Sequence, residues 1–197
     1  MEYKGSFKKW LSKLDGISLK YDNGKVVNNS LTSVEFLKIL FLSNIREDVE
    51  FLSRTENLKV RYGNLIIRNM VEQLIEFKYL IKHPELIEDY MGNNIQINVD
   101  TTTTNEVNTL LKMGQGRFTN KRKHISEMAK DINEDLSDAD LSLYDIYRIL
   151  SDFGHNSYYF SCLDDVDEVE GKVPVRGIQE YQKSFLDIII DKFIQTF

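Results

Sequence analysis

Between residues 34 and 52, apolar side chains return every three or four positions, at Val34, Leu37, Phe41, Ile45, Val49 and Leu52. That spacing marks one face of a helix and excludes the two-residue alternation of a half-buried strand. The rhythm resumes with Leu58, Tyr62, Leu65, Ile66, Met70, Leu74, Phe77 and Ile81. Two successive amphipathic helices of this length must bury their stripes against each other and against further helices. The predicted fold class is therefore all-α, an up-and-down bundle of four or five helices. Ser30 or Thr32 can cap the first helix, with Glu35 three residues after Thr32 as a capping box requires. The second should end at His83, because Pro84 disfavours helical geometry in the residue before it and cannot continue the hydrogen-bond ladder.

Residues 1–30 read as a small extension and residues 31–197 as the bundle. In the extension, Phe7, Trp10, Leu11 and Leu14 predict a short helix over 4–14 that stops at Asp15-Gly16. Ile17, Leu19 and Tyr21 then alternate with polar residues, and Asn23-Gly24 precedes Val26 and Val27, which predicts a hairpin. The polar stretch 92–104 is expected to be a loop, followed by helices over about 105–112 and 120–132. A helix over 141–153, capped by Ser137 or Asp140, would bury Leu143, Ile146, Tyr147 and Leu150. Asp164, Asp165, Asp167, Glu168 and Glu170 make an acidic connector, and Ile178, Tyr181, Phe185, Ile188, Ile189 and Phe193 predict a largely buried helix over 177–196.

Several function classes are disfavoured by composition. The longest strongly apolar stretch runs only from Phe36 to Leu42. A bilayer span takes about 20 residues, so no membrane-spanning helix is expected. The first ten residues carry no apolar core of a secretory signal, and the single cysteine, Cys162, excludes an internal disulfide framework; both fit a cytoplasmic protein. The 25 Lys and Arg against 31 Asp and Glu leave a net charge of −6. That balance disfavours broad coating of nucleic acid, since nonspecific affinity comes from cations displacing counterions. Any such contact must be local. The candidates are Lys121, Arg122 and Lys123, flanked by Arg117 and His124; their alternative reading is a solvated helix start. Three scattered histidines and one cysteine offer no zinc spacing, the acidic run lacks the spaced ligands and central glycine of a calcium loop, and Gly114-Gln-Gly116 lacks the rest of a phosphate-binding loop. No metal and no cofactor are expected. Cys162 has no basic neighbour in sequence to activate it as a nucleophile.

Chemistry is concentrated in two polar stripes. Arg148, Ser151 and His155 lie on one side of the helix over 141–153 if it continues through Gly154, because the seven-residue step from Arg148 to His155 returns to within about 20°. Their backbones would then be separated by about 10 Å along the axis, a span that long side chains can close around one phosphodiester. Arginine offers a permanently charged fork for phosphate oxygens, and histidine moves protons near neutral pH. On the second helix Arg68, Glu72 and Glu76 follow at intervals of four. Two readings stand: a phosphate-binding catalytic pair, or a satisfied polar network that fixes helix register.

The spacing Arg148-x6-His155 resembles the R-x(4–6)-H motif of the HEPN superfamily of all-helical bundles. The wider pattern of Arg68-Asn-Met-Val-Glu72, followed after a long gap by Tyr147-Arg148-Ile-Leu-Ser151-Asp-Phe-Gly-His155, is similar to a HEPN-like bacterial family with an Arg-x3-Glu helix and a Ser-x3-His helix. The likeness covers roughly residues 31–196. It implies a metal-independent endoribonuclease of a toxin or abortive-infection system. His155 would be general base or acid, Arg148 the phosphate-binding group, and Ser151, Arg68, Glu72 and Tyr144 the supporting polar network. It also implies a homodimer that brings two motifs together, an RNA substrate, and an antitoxin or regulatory partner. The alternative is a noncatalytic module that binds a protein or a nucleotide with the same residues.

Overall fold

The helix that organises the molecule is the one over residues 60–82, against which most of the other helices pack. The computed structural model describes residues 3–22, 33–90, 123–135, 141–155, 170–171 and 175–197. Its elements are α1 (Tyr3–Asp22), α2 (Ser33–Arg54), α3 (Val60–Lys82), a 3-10 turn (Pro84–Leu86) that runs into the short α4 (Ile87–Tyr90), α5 (Ile125–Asp131), α6 (Leu143–His155) and α7 (Glu180–Ile194). The protein is an all-α bundle, with α3 packed against α2, α5, α6 and α7, and α1 packed against α2 and α7. Among the described residues no strand forms, and none of the helices is long and apolar enough to cross a membrane.

The stripe of α2 is buried as its spacing predicts, through Leu37, Phe41, Ile45, Val49 and Leu52, with Val34 partly buried beside it. Phe41, Phe77 of α3 and Phe193 of α7 form the middle of the core, with ring centroids 5.1 and 5.5 Å apart. The helix α3 ends at His83, before Pro84. Its buried face is rotated from the predicted one: Tyr62 and Leu65 are 43% and 42% exposed, while Gly63, Asn64 and Ile67 point inward. The cause is α7. Gln182 lies fully buried against α3, where its Nε2 donates to the Val60 carbonyl at 3.1 Å and to Asn64 Oδ1 at 2.7 Å. A Cβ on Gly63 would stand 2.8 Å from that nitrogen. Polar and small residues therefore occupy the inward face at this end, where an apolar pattern cannot reveal it.

The first helix is longer than the sequence pattern predicts. Residues 17–22, expected as one arm of a hairpin, continue α1, and the Asn23-Gly24 turn with Val26 and Val27 lies outside the described residues. Phe7, Trp10, Leu14 and Ile17 form an unbroken helical stripe, all buried. Burying Ile17 outweighs the roughly 1 kcal/mol by which Gly16 weakens a helix interior relative to alanine. Asp15, expected at the helix end, instead accepts from Arg46 Nε of α2 at 2.7 Å. Trp10 Nε1 donates to Asp187 of α7 at 2.7 Å, so α1 shares the bundle core.

The helix α6 is held at its start by two devices. Ser142 caps it, with its Oγ accepting from the Asp145 N–H at 3.0 Å. The Asp145 carboxylate accepts in return from the Ser142 N–H at 3.2 Å, the reciprocal pattern of a capping box. Ser137 and Asp140, expected as caps, lie outside the described residues. In the second device the Tyr144 N–H donates to the Glu134 carbonyl at 3.1 Å. The buried Glu134 carboxylate in turn accepts from Lys78 of α3 at 2.6 Å and Lys192 of α7 at 2.8 Å. Burial alone pushes this carboxyl up, but the two ammonium groups outweigh it and hold the pKa below its ordinary value.

Candidate functional site

The polar contact between α3 and α6 centres on Arg68. Its Nε donates to Ser151 Oγ at 2.9 Å and its Nη2 donates to the Tyr147 hydroxyl at 2.8 Å. The guanidinium carbon lies 4.8 Å from the centroid of the Tyr147 ring, within cation–π range. Glu72, one turn along α3, brings a carboxylate oxygen to 3.8 Å from Nη2. The Tyr144 ring continues the array, 6.0 Å from Tyr147 and inclined by only 14°. Three planar groups thus stand in sequence: Arg68, Tyr147, Tyr144. About a third of the Arg68 side chain is exposed. Water therefore screens its charge, and the network contributes less than the roughly 1.5–3 kcal/mol typical of hydrogen bonds to charged groups.

Arg148 takes no part in this network among the described residues, and it is exposed. The separation follows from helix geometry. Setting Tyr144 at 0°, Arg148, Ser151 and His155 fall at about 40°, about 340° and about 20°, while Tyr147 falls at about 300°, turned further toward α3. Ser151 is near enough to the α3 side to be taken by Arg68, whereas Arg148 faces solvent. The helix is continuous from Leu143 through Gly154 to His155. The condition for a common Arg148/His155 face is thereby met at the backbone, with the two positions about 10 Å apart along the axis. The His155 side chain lies outside the described residues. Gly154 passes close to α3: a Cβ there would stand 3.8 Å from Leu65 Cδ2.

The predicted supporting residues Arg68, Glu72 and Ser151 are therefore brought together, with Tyr144 adjoining through its ring rather than a polar contact. Tyr147 is the member that sequence reasoning missed, because tyrosine at a helical repeat position reads as apolar packing while its hydroxyl is what Arg68 engages. Lys121 and Arg122 lie outside the described residues, as do Arg117, Cys162 and carboxylates 164–168. Lys123 is exposed, with its Nζ 5.3 Å from the Tyr79 ring centroid, and His124 caps α5 by accepting from the Ser126 N–H at 3.4 Å. Among the described residues no three of His, Cys, Asp and Glu converge as a metal site.

Two further features had no sequence signal. His83 Nε2 lies 2.7 Å from Asp131 Oδ2, and this contact is the main cause of the lowered Asp131 pKa. Asp48 faces α3 from α2, and burial pushes its pKa up to about 6. The hydrogen bond donated by Gln73 Nε2 at 3.3 Å opposes that rise. A cavity of about 1100 Å³ opens beside α1, with Phe7, Leu11, Leu52 and Ile178 among its walls and none of the predicted site residues. Comparison of the chain with protein-family models, curated proteins and solved structures finds no match.

Proposed function

We propose that the protein is a metal-independent endoribonuclease of HEPN type that acts in the cytoplasm as a toxin or abortive-infection effector. The observation that carries this reading is the exposed Arg148 on a helix that remains continuous to His155, beside an Arg68 already engaged by Tyr147 and Ser151. One arginine fixes the helix and the other is available to a ligand. In the reaction, His155 takes the proton from a ribose 2′-hydroxyl, and the 2′-oxygen bonds to the adjacent phosphorus. The 5′-oxygen leaves and receives a proton, giving a 2′,3′-cyclic phosphate and a 5′-hydroxyl. Arg148 stabilises the charge that grows on the nonbridging oxygens.

A second copy of the chain would supply a second histidine, so that one acts as base and the other as acid. The exposed Tyr62 and Leu65, the latter beside Gly154, offer apolar surface next to the stripe for that copy. An antitoxin or regulatory protein would act by covering the same stripe.

The network around Arg68 favours a second reading, a noncatalytic protein- or nucleotide-binding module, since Arg68, Ser151, Tyr147 and Glu72 satisfy one another without any substrate. Incubating the protein and a His155→Ala variant with RNA in EDTA, and reading product ends, separates the two. The ribonuclease reading expects cleavage by the wild type to cyclic phosphate ends and none by the variant. Intact RNA after incubation with folded wild-type dimer would shift the assignment to the binding module.

A further inference from the structure

We propose that the planar array at the head of α6 is a nucleobase-stacking subsite, with Tyr144 as the residue that selects single-stranded RNA. This inference rests on the reading of Arg148 as the phosphate-binding group. Tyr144 and Tyr147 lie nearly parallel, inclined by 14°, and both are only partly buried. Arg68 covers Tyr147 on the α3 side with its guanidinium 4.8 Å from the ring centroid, while its hydrogen bonds to Tyr147 and Ser151 hold the array in place. Tyr144 stacks beside Tyr147 and is half-buried against the core, so it remains partly open to solvent next to the exposed Arg148.

Tyr144 and Arg148 stand one turn apart on α6, about 40° apart around the axis and about 6 Å along it. A base stacked on Tyr144 and the phosphate attached to its sugar can therefore be held together by these two side chains. Stacking on an aromatic ring tolerates any base, because every base has a π-face, but it requires that face to be free. A duplex buries its base faces, so the site would favour single strands. The charge balance agrees. The chain carries a net −6, so binding cannot come from a general positive field and needs a local cation beside a stacking surface. An exposed arginine next to planar rings suits a nucleotide better than an apolar peptide face.

The test uses the full-length protein and a 2′-O-methyl oligoadenylate heptamer, which cannot be cleaved because its 2′-oxygen carries no proton to remove. Fluorescence anisotropy is read for the single strand, for the same strand in a duplex, and for a version with one abasic position. Wild type should prefer the single strand and lose affinity for the abasic strand. Tyr144→Leu should weaken single-strand binding by roughly ten- to a hundredfold, and Tyr144→Phe should stay within about twofold of wild type. Wild type that fails to bind, or that binds duplex equally well, overturns the subsite, as does Tyr144→Leu with wild-type affinity and an unchanged circular dichroism spectrum. The cleavage assay fails separately: ring-dependent binding without cleavage removes only the ribonuclease reading. Cleavage with KM unchanged in Tyr144→Leu removes only the subsite.

Discussion

Of the polar contacts that cross from α3 to its neighbours, those to α7 and to α6 differ most clearly in charge and in access to water. At the α7 crossing, Gln182 and Asn64 are buried neutral amides: Gln182 donates to the Val60 carbonyl and to Asn64 Oδ1, and accepts from the Gln179 N–H at 2.8 Å. At the α6 crossing, the charged Arg68 meets Tyr147, Ser151 and Glu72 at a partly exposed edge. A buried amide must be fully satisfied and so fixes register with no group left over for a ligand. At the exposed edge a charge can remain near water, and the next stripe on the same helix, with Arg148, stays open. Polar residues between helices do not by themselves mark a site; the exposure of the residues beside them does.

Substitutions in these crossings should separate them, beginning with the largest effect on stability. Gln182→Ala leaves a cavity, strips the Gln179 N–H of its acceptor and removes the hydrogen bonds to the Val60 carbonyl and to Asn64 Oδ1, which keeps only the one donated by the Tyr181 hydroxyl at 2.9 Å. It should lose about 3 kcal/mol in urea unfolding. A loss below about 1 kcal/mol would mean that the α7 crossing is not the lock described. Gly63→Ala forces a Cβ to 2.8 Å from Gln182 Nε2 and 3.2 Å from Ile178 Cδ1. That overpacking should cost about 1–3 kcal/mol. Arg68→Met, which keeps the stem but removes the donors, should cost about 1 kcal/mol. Its unfolding midpoint should therefore shift less than that of Gln182→Ala. Arg148→Ala should leave stability within about 0.5 kcal/mol, because an exposed side chain outside the network holds no packing.

A third crossing, from Asp48 of α2 to Gln73 of α3, sharpens the comparison through pH. The Asp48 carboxyl titrates near pH 6 when folded, raised from an ordinary 3.8. The folded state therefore binds this proton more tightly than the unfolded state does. The stability it contributes is fully present below pH 3.8 and is lost as pH rises through about 6. Asp48→Asn should remove this segment of the stability–pH curve and raise stability at pH 7 relative to wild type. Urea midpoints at pH 4, 5, 6 and 7 read it directly, and parallel curves for the two proteins would contradict the assignment.

How much was legible follows the same division. Apolar periodicity placed α2 correctly, and a proline stopped α3 at His83, since both depend on local chemistry. The same periodicity misplaced the inward face at the start of α3, because Gly63 and Asn64 point inward to meet Gln182, more than a hundred residues away. It ended α1 at Gly16, because Asp-Gly reads as a stop, while the burial of Ile17 that carries the helix onward is a tertiary effect. At the site, intervals of four and seven linked Arg68 to Glu72 and Arg148 to His155. They did not reveal that Arg68 would take Ser151 from the Arg148 stripe, which depends on how α6 is rotated against α3.

The most direct test is a paired measurement on Arg148→Ala: RNA cleavage in EDTA and urea unfolding on the same preparation. With Arg148 as a ligand-facing group and Arg68 as the structural one, cleavage should fall at least a hundredfold while the unfolding midpoint stays at the wild-type value. Retained cleavage, or a loss of activity that tracks a loss of stability, would contradict the division of roles between the two arginines.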